Sequence, residues 1–199
     1  MTAPKKNGKN GKIKSPTEAD RFEIRLSGSG GQGLILAGVI LAQAIGVGDK
    51  KNVVQTQSYG PEARGGASRA DVVISSGEIY YPKTMKLDML LSLTQESCDK
   101  YYPDMKDGGL LIIDSNLVTQ IPTKSYYGFP FTRLAKEEIG HVMVANVIAL
   151  GTITEITKVV SPDSIKEAVL SRAPKGTEEK NTKALELGMK IAREAMKGR

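Results

Sequence analysis

Six residues, Gly28, Ser29, Gly30, Gly31, Gln32 and Gly33, stand between an alternating segment and a long apolar run, and they constrain the fold more than any other stretch. Glycine loses more backbone freedom on folding than any other residue, so a glycine cluster is costly to order. Such a stretch marks a turn through positive φ, or a place where something approaches the backbone closely. Leu34 to Ile45 follows with helical length and is apolar nearly all round, which predicts a helix buried on most of its surface. Its amino end would turn unpaired N–H groups and partial positive charge toward the glycines. That is an anion site, best suited to phosphate.

Length and composition bound the rest. The 199 residues suffice for one domain with a full core, and 40% hydrophobic with 25% charged residues is a globular mix. No run approaches the roughly 18 apolar residues of a membrane span. The opening residues lack the apolar core of a secretory signal. The single Cys98 excludes an internal disulfide and a cysteine-built cluster, and the single His141 leaves little scope for a histidine metal site or triad. Together these predict a cytoplasmic protein. Half of the net charge of +6 lies in residues 1–20, where Lys5, Lys6, Lys9, Lys12 and Lys14 oppose Glu18 and Asp20. That segment has no apolar periodicity and reads as a disordered basic tail. No recognition helix or RNA motif supports nucleic-acid binding.

Along the chain, Arg21 to Ser27 alternates. Phe22, Ile24 and Leu26 face one way and Glu23 and Arg25 the other, which predicts a strand with one wet or partner-covered face. A second strand is expected over Asn52 to Tyr59, making a parallel strand–helix–strand unit. Further strands are expected at Ser68 to Ser75, Glu78 to Tyr81, Leu87 to Leu93 and Leu110 to Asp114, with a short one near Ser125 to Tyr127. The Ser76-Gly77 turn predicts a hairpin, hence a mixed sheet. Thr94, Thr132, Ser161-Pro162 and Thr177 read as helix starts, and Val142 to Ile156 as a long apolar helix. The fold class is α/β: residues 21–199 form one three-layer α/β/α domain, with a mixed, mainly parallel sheet and a helical carboxyl-terminal part.

Gly28, Gly30 and Gly33 fit the dinucleotide spacing G-x-G-x-x-G, but no acid ends the second strand to hold a ribose, and Asp49 lies before that strand. A tight strand-to-helix turn with no ligand is the plain alternative. A second loop, Tyr59-Gly-Pro-Glu-Ala-Arg-Gly-Gly66, places Glu62 and Arg64 at the carboxyl end of a strand, where ligands bind in open α/β sheets. Arg64 and Arg69 are suited to clamp a carboxylate or phosphate. An Arg–Glu pair that holds the loop or a subunit contact is an equal reading. His141 reads as a helix-end residue, Cys98 as inert, and Asp114 as a turn-forming acid.

The two glycine loops, with Ala37-Gly38, Asn146, Leu150-Gly151, Asn181, Ala184 and Gly188, resemble the gamma subunit of 2-oxoacid:ferredoxin oxidoreductases from about Phe22 to Ala195. The likeness is nearest to 2-oxoglutarate synthases, with pyruvate and branched-chain enzymes next. It implies decarboxylation of a 2-oxoacid on thiamine diphosphate with Mg2+, electron transfer through Fe–S clusters to ferredoxin, and formation of an acyl-CoA. By the same resemblance those cofactors belong to partner subunits, and this chain has no catalytic residue or metal of its own. It would help to hold coenzyme A or the 2-oxoacid through Gly28, Ser29, Gly30, Gly31, Gln32, Gly33, Glu62, Arg64, Gly65 and Gly66. The rival expectations are a free-standing nucleotide-dependent oxidoreductase and an architectural or nucleic-acid-associated protein acting through its lysine tail.

Overall fold

The computed structural model describes residues 21–58 and 67–198; the expectation for residues 1–20 lies outside them. The elements are β1 (Arg21–Ser29), α1 (Leu34–Gln43), β2 (Asn52–Gln57), β3 (Ala67–Ser75), β4 (Leu87–Ser92), α2 (Gln95–Tyr101), β5 (Met105–Asp114), β6 (Tyr127–Phe129), α3 (Phe131–Glu137), α4 (Ala145–Thr157), α5 (Pro162–Arg172) and α6 (Glu178–Lys197). The apolar run after Gly33 does become a helix, which ends in a π-helical turn over Ala44–Gly48.

The sheet order is β2-β3-β1-β4-β5-β6. Strands β1, β4, β5 and β6 are parallel in succession, and β3 runs antiparallel to both of its neighbours. The sheet is therefore mixed, as expected, but for a different reason. Glu78 to Tyr81 forms no strand, so the hairpin at Ser76-Gly77 is absent. The antiparallel member is β3 itself. Strand β2 shares the direction of β1, yet β3 lies between them. Gly38 lets α1 sit close on this insertion: a Cβ there would come within 2.7 Å of the Ala70 Cβ.

Helices cover both faces. Phe22, Ile24 and Leu26 join a large cluster with α1, α3, α4, α5 and α6. The opposite face packs Leu90, Leu111 and Ile113 against Cys98 and Tyr101 of α2. Within the first layer, α4 crosses α6 at Gly151 and Gly188. A Cβ on Gly151 would strike the Leu185 carbonyl, and one on Gly188 the Ile148 carbonyl. Ala184 is fully buried on α6, and Asn181 donates to the Thr177 carbonyl at 3.0 Å. These positions of the resemblance thus serve helix packing and the first turn of α6.

The polar face of β1 is neither wet nor left for a partner. Glu23 and Arg25 are 2% and 4% exposed. Arg25 donates through Nε and Nη2 to both oxygens of Asp71, at 2.7 and 2.9 Å, and through Nη2 to Thr84 Oγ1. Its Nη1 donates to Asp104, and its guanidinium lies 4.8 Å from the Tyr101 ring centroid. Burial works against the Arg25 charge, but Asp71 and Asp104 outweigh it and raise the pKa. Glu23 accepts from Arg21 Nε at 2.6 Å and from the Met85 and Lys86 N–H groups. The two charged side chains therefore hold the 76–86 segment against the sheet. Tyr101, beneath the Arg25 guanidinium, is itself buried.

Other local expectations shift by a turn or less. Strand β5 starts at Met105 and takes in Gly108-Gly109, and β6 falls at Tyr127–Phe129, beyond the Ser125–Tyr127 expected. Helix α3 begins after Pro130 and ends at Glu137, so Thr132 is not its cap. Thr132 instead gives its N–H and hydroxyl to Asp114. The Val142 to Ile156 segment opens with a 3-10 turn, Val142–Val144, before α4. Thr94 and Ser161 do cap α2 and α5, whereas Thr177 makes no capping bond to α6.

Candidate functional site

The glycine loop lies at the carboxyl end of β1, between that strand and α1. Gly33 occupies the N-cap of α1 with φ of 70°, in the left-handed region that favours glycine. It offers no side-chain cap, and the first turn of α1 holds no acidic residue. The amino end of a ten-residue helix is thus left to its own N–H groups. Gly30 and Gly31 are exposed at the tip. Not every amide of the loop is open, however. Gln32 folds back, and its Oε1 accepts from the Ser29 N–H at 2.8 Å.

A second element fixes this loop from across the fold. Asn146, in the first turn of α4, donates from Nδ2 to the Gly33 carbonyl at 3.0 Å, while its buried Oδ1 has no hydrogen-bond partner. Nothing in the sequence around Asn146 predicts that contact. Its one local signal is an amide within an apolar segment, where a polar side chain needs a partner.

The second loop connects to the same end of the sheet. Residues 59–66, and with them Glu62, Arg64, Gly65 and Gly66, lie outside the described residues. Their flanks do not. The chain leaves at Ser58, whose N–H donates to the Arg69 carbonyl, and returns at Ala67, which pairs with Ser29. Tyr101 donates its hydroxyl to the Ala67 carbonyl at 3.0 Å and fixes that return. Arg69 turns its guanidinium over Tyr101, 5.6 Å from the ring centroid.

The remaining candidates are structural. Asp49 accepts from the Ser161 N–H and hydroxyl and from the Ser164 hydroxyl, and so ties the end of α1's π-turn to the start of α5. Asp114 is fully buried and also accepts from the Asn116 N–H. Burial pushes the Cys98 thiol up to about 11, with Asp99 adding to it, which keeps it protonated and unreactive. His141 is exposed ahead of the turn before α4. Leu36, Leu117, Val142 and Met143 are exposed apolar side chains on α1, after β5 and before α4. No helix among the described residues is long and apolar enough to cross a membrane.

An open mixed sheet with helices on both faces, and a glycine at the N-cap of the helix that follows a central strand, defines a single α/β domain. The family described as pyruvate ferredoxin/flavodoxin oxidoreductase matches residues 23–191, and the chain belongs to that family. It is 52% identical over 178 residues to the 2-oxoglutarate synthase subunit KorC of Methanocaldococcus jannaschii, covering 87% of this chain and 95% of that one. The crystal structure of a keto/oxoacid ferredoxin oxidoreductase gamma subunit from Geobacter sulfurreducens superposes with a TM-score of 0.82 at 49% identity, over 89% of this chain and 99% of the other. A 2-oxoglutarate:ferredoxin oxidoreductase from Magnetococcus marinus shares the fold, with a TM-score of 0.77 at 22% identity over 88% of this chain and 32% of that one.

Proposed function

We propose that this chain is the gamma subunit of a 2-oxoglutarate:ferredoxin oxidoreductase, and that its two glycine loops together hold coenzyme A or the 2-oxoacid. In the complex, 2-oxoglutarate, coenzyme A and oxidised ferredoxin become succinyl-CoA, carbon dioxide and reduced ferredoxin. Thiamine diphosphate, Mg2+ and Fe–S clusters sit on partner subunits and supply the decarboxylation and the electron path. This chain would contribute those backbone N–H groups of the Gly28 to Gly33 loop that Gln32 leaves open, with Glu62, Gly65 and Gly66 as further contacts and Arg64 as the charged partner of a phosphate or carboxylate. The substrate choice rests on the identity to the KorC subunit.

One observation carries the reading of the site. The register pairs Ser29 with Ala67, so the chain leaving Gly66 enters β3 directly beside the first glycine loop. The residues that flank the 59–66 stretch thereby lie at the end of the sheet that carries the first loop, where open α/β folds bind ligands.

The test is steady-state kinetics of the reconstituted oxidoreductase carrying Arg64→Ala. The Michaelis constant for coenzyme A or for 2-oxoglutarate rises at least several-fold, with kcat less affected, as expected for lost binding. If neither constant moves, Arg64 only holds its own loop. Mass spectrometry of the native complex recovered with this chain identifies the thiamine-binding and cluster-bearing partners. Activity on pyruvate or branched-chain 2-oxoacids in preference to 2-oxoglutarate would reassign the substrate and leave the subunit role intact.

A further inference from the structure

At the opposite end of β1 from the glycine loop, the 76–86 segment presents Tyr80, Tyr81 and Met85 to solvent at 88%, 51% and 64% exposure. Isolated surface apolar side chains are ordinary, but three within six residues form a patch. The segment has no regular structure of its own, yet its backbone is held at several points. Arg21 donates to the Tyr81 and Lys83 carbonyls at 2.9 and 2.8 Å. Glu23 takes the Met85 and Lys86 N–H groups, and Thr84 donates its hydroxyl to Asp71. Buried charges on β1 and β3 therefore hold a loop in one shape while its large apolar side chains face outward. A platform ordered before binding loses little entropy on docking, and tyrosine is favoured at the energetic centres of interfaces.

Charge selects the occupant. Lys83 and Lys86 lie at and beside the apolar residues, and neither is in an ion pair among the described residues, although Lys86 also donates to the Pro103 carbonyl. The segment's one acid, Glu78, is engaged by the Tyr80 hydroxyl, which leaves the two lysines in excess. A second copy of this chain would bring the same two lysines against themselves. The chain's own residues 1–20, which join at Arg21, carry five lysines against two acids. Like charge disfavours both. The complement is a surface of opposite sign around an apolar recess.

We propose that the Tyr80–Met85 platform is the docking site for another subunit of the same oxidoreductase, which meets it with an apolar recess rimmed by carboxylates. This rests on the subunit reading above, but concerns a surface at the other end of β1 from the proposed ligand loops.

The test is assembly of the complex from the full-length chain and its co-expressed partner subunits, read as the dissociation constant of this chain from the rest. The double variant Y80S/M85S weakens assembly at least tenfold while the melting temperature of the unassembled chain stays that of the wild type. The double variant K83E/K86E also weakens assembly, and its deficit shrinks as salt rises, because exposed charges are screened. Wild-type affinity in both variants would overturn the proposal. So would self-association of the wild-type chain that Y80S/M85S abolishes, which would make the occupant a second copy. Normal assembly with a raised Michaelis constant for ferredoxin would overturn it in favour of the electron carrier. Failure of the wild-type chain to recover any partner would sink the subunit reading with it.

Discussion

The Asn146 side chain donates to the Gly33 carbonyl at 3.0 Å across 113 residues of sequence. That bond ties the first turn of α4 to the N-cap of α1, so the carboxyl-terminal helices hold the glycine loop in place. Asn146→Ala removes one neutral hydrogen bond, worth about 1 kcal/mol. The melting temperature falls by about 2–4 °C for a chain of this size. In the assembled enzyme the same variant raises the Michaelis constant for coenzyme A, because the loop that Asn146 positions is the proposed ligand contact. A melting change with no kinetic change would separate the loop's stability from its binding role.

Arg25 and Asp71 form a buried pair on the central strands. Arg25→Met leaves Asp71 charged, buried and without its bidentate donor, at a cost of about 3–5 kcal/mol. Adding Asp71→Leu removes the orphaned charge. The double variant is therefore less destabilised than the sum of the single ones, and urea unfolding of the four proteins measures the coupling.

The α4–α6 crossing leaves no room for a methyl group. Gly188→Ala forces the helices apart and costs about 1–3 kcal/mol. The urea midpoint drops while the slope of the transition holds. Gly77→Ala is the matched control: a Cβ there meets nothing within 4 Å, and the midpoint stays put.

Asp49 gives a pH signature. Burial raises its pKa, but hydrogen bonds from Ser164 and Ser161 outweigh that and hold it below the ordinary value of 3.8. A group with a lowered folded pKa stabilises the fold above its unfolded pKa, and that stability is lost as pH falls through the folded value. Stability of the wild type therefore declines below about pH 4 in part through Asp49. Asp49→Asn is less stable at neutral pH and loses less on acidification, as thermal melts across the acid range would report.

Local signals were the legible ones. The glycine cluster and apolar run specify β1, its loop and α1 because each signal lies within a few residues of the structure it forms. Ser161-Pro162 marks the start of α5 for the same reason. What could not be read is chemistry completed at long range. Glu23 and Arg25 alternate like an exposed strand face, but their partners Met85, Lys86 and Asp71 lie 46 to 63 residues away. Asp49 looks like a misplaced ribose ligand until α5 arrives to be capped. A hairpin arm needs a strand to pair with, and the Glu78 to Tyr81 stretch is instead held at its end by Arg21, which binds the Tyr81 carbonyl. The glycine loops are recognisable as a pair by resemblance, whereas the pairing of Ala67 with Ser29 follows only from the insertion of β3.

That insertion also governs how the chain can be made. When β2 leaves the ribosome, its place in the sheet cannot yet be taken, because β3, the strand it pairs with, is still being synthesised. Until Ser75 has emerged, α1 has a gap beneath it and an uncovered greasy underside. Helices α4 and α5, which also pack on α1, come later still, so a nascent chain arrested before that point would be a natural client for a chaperone.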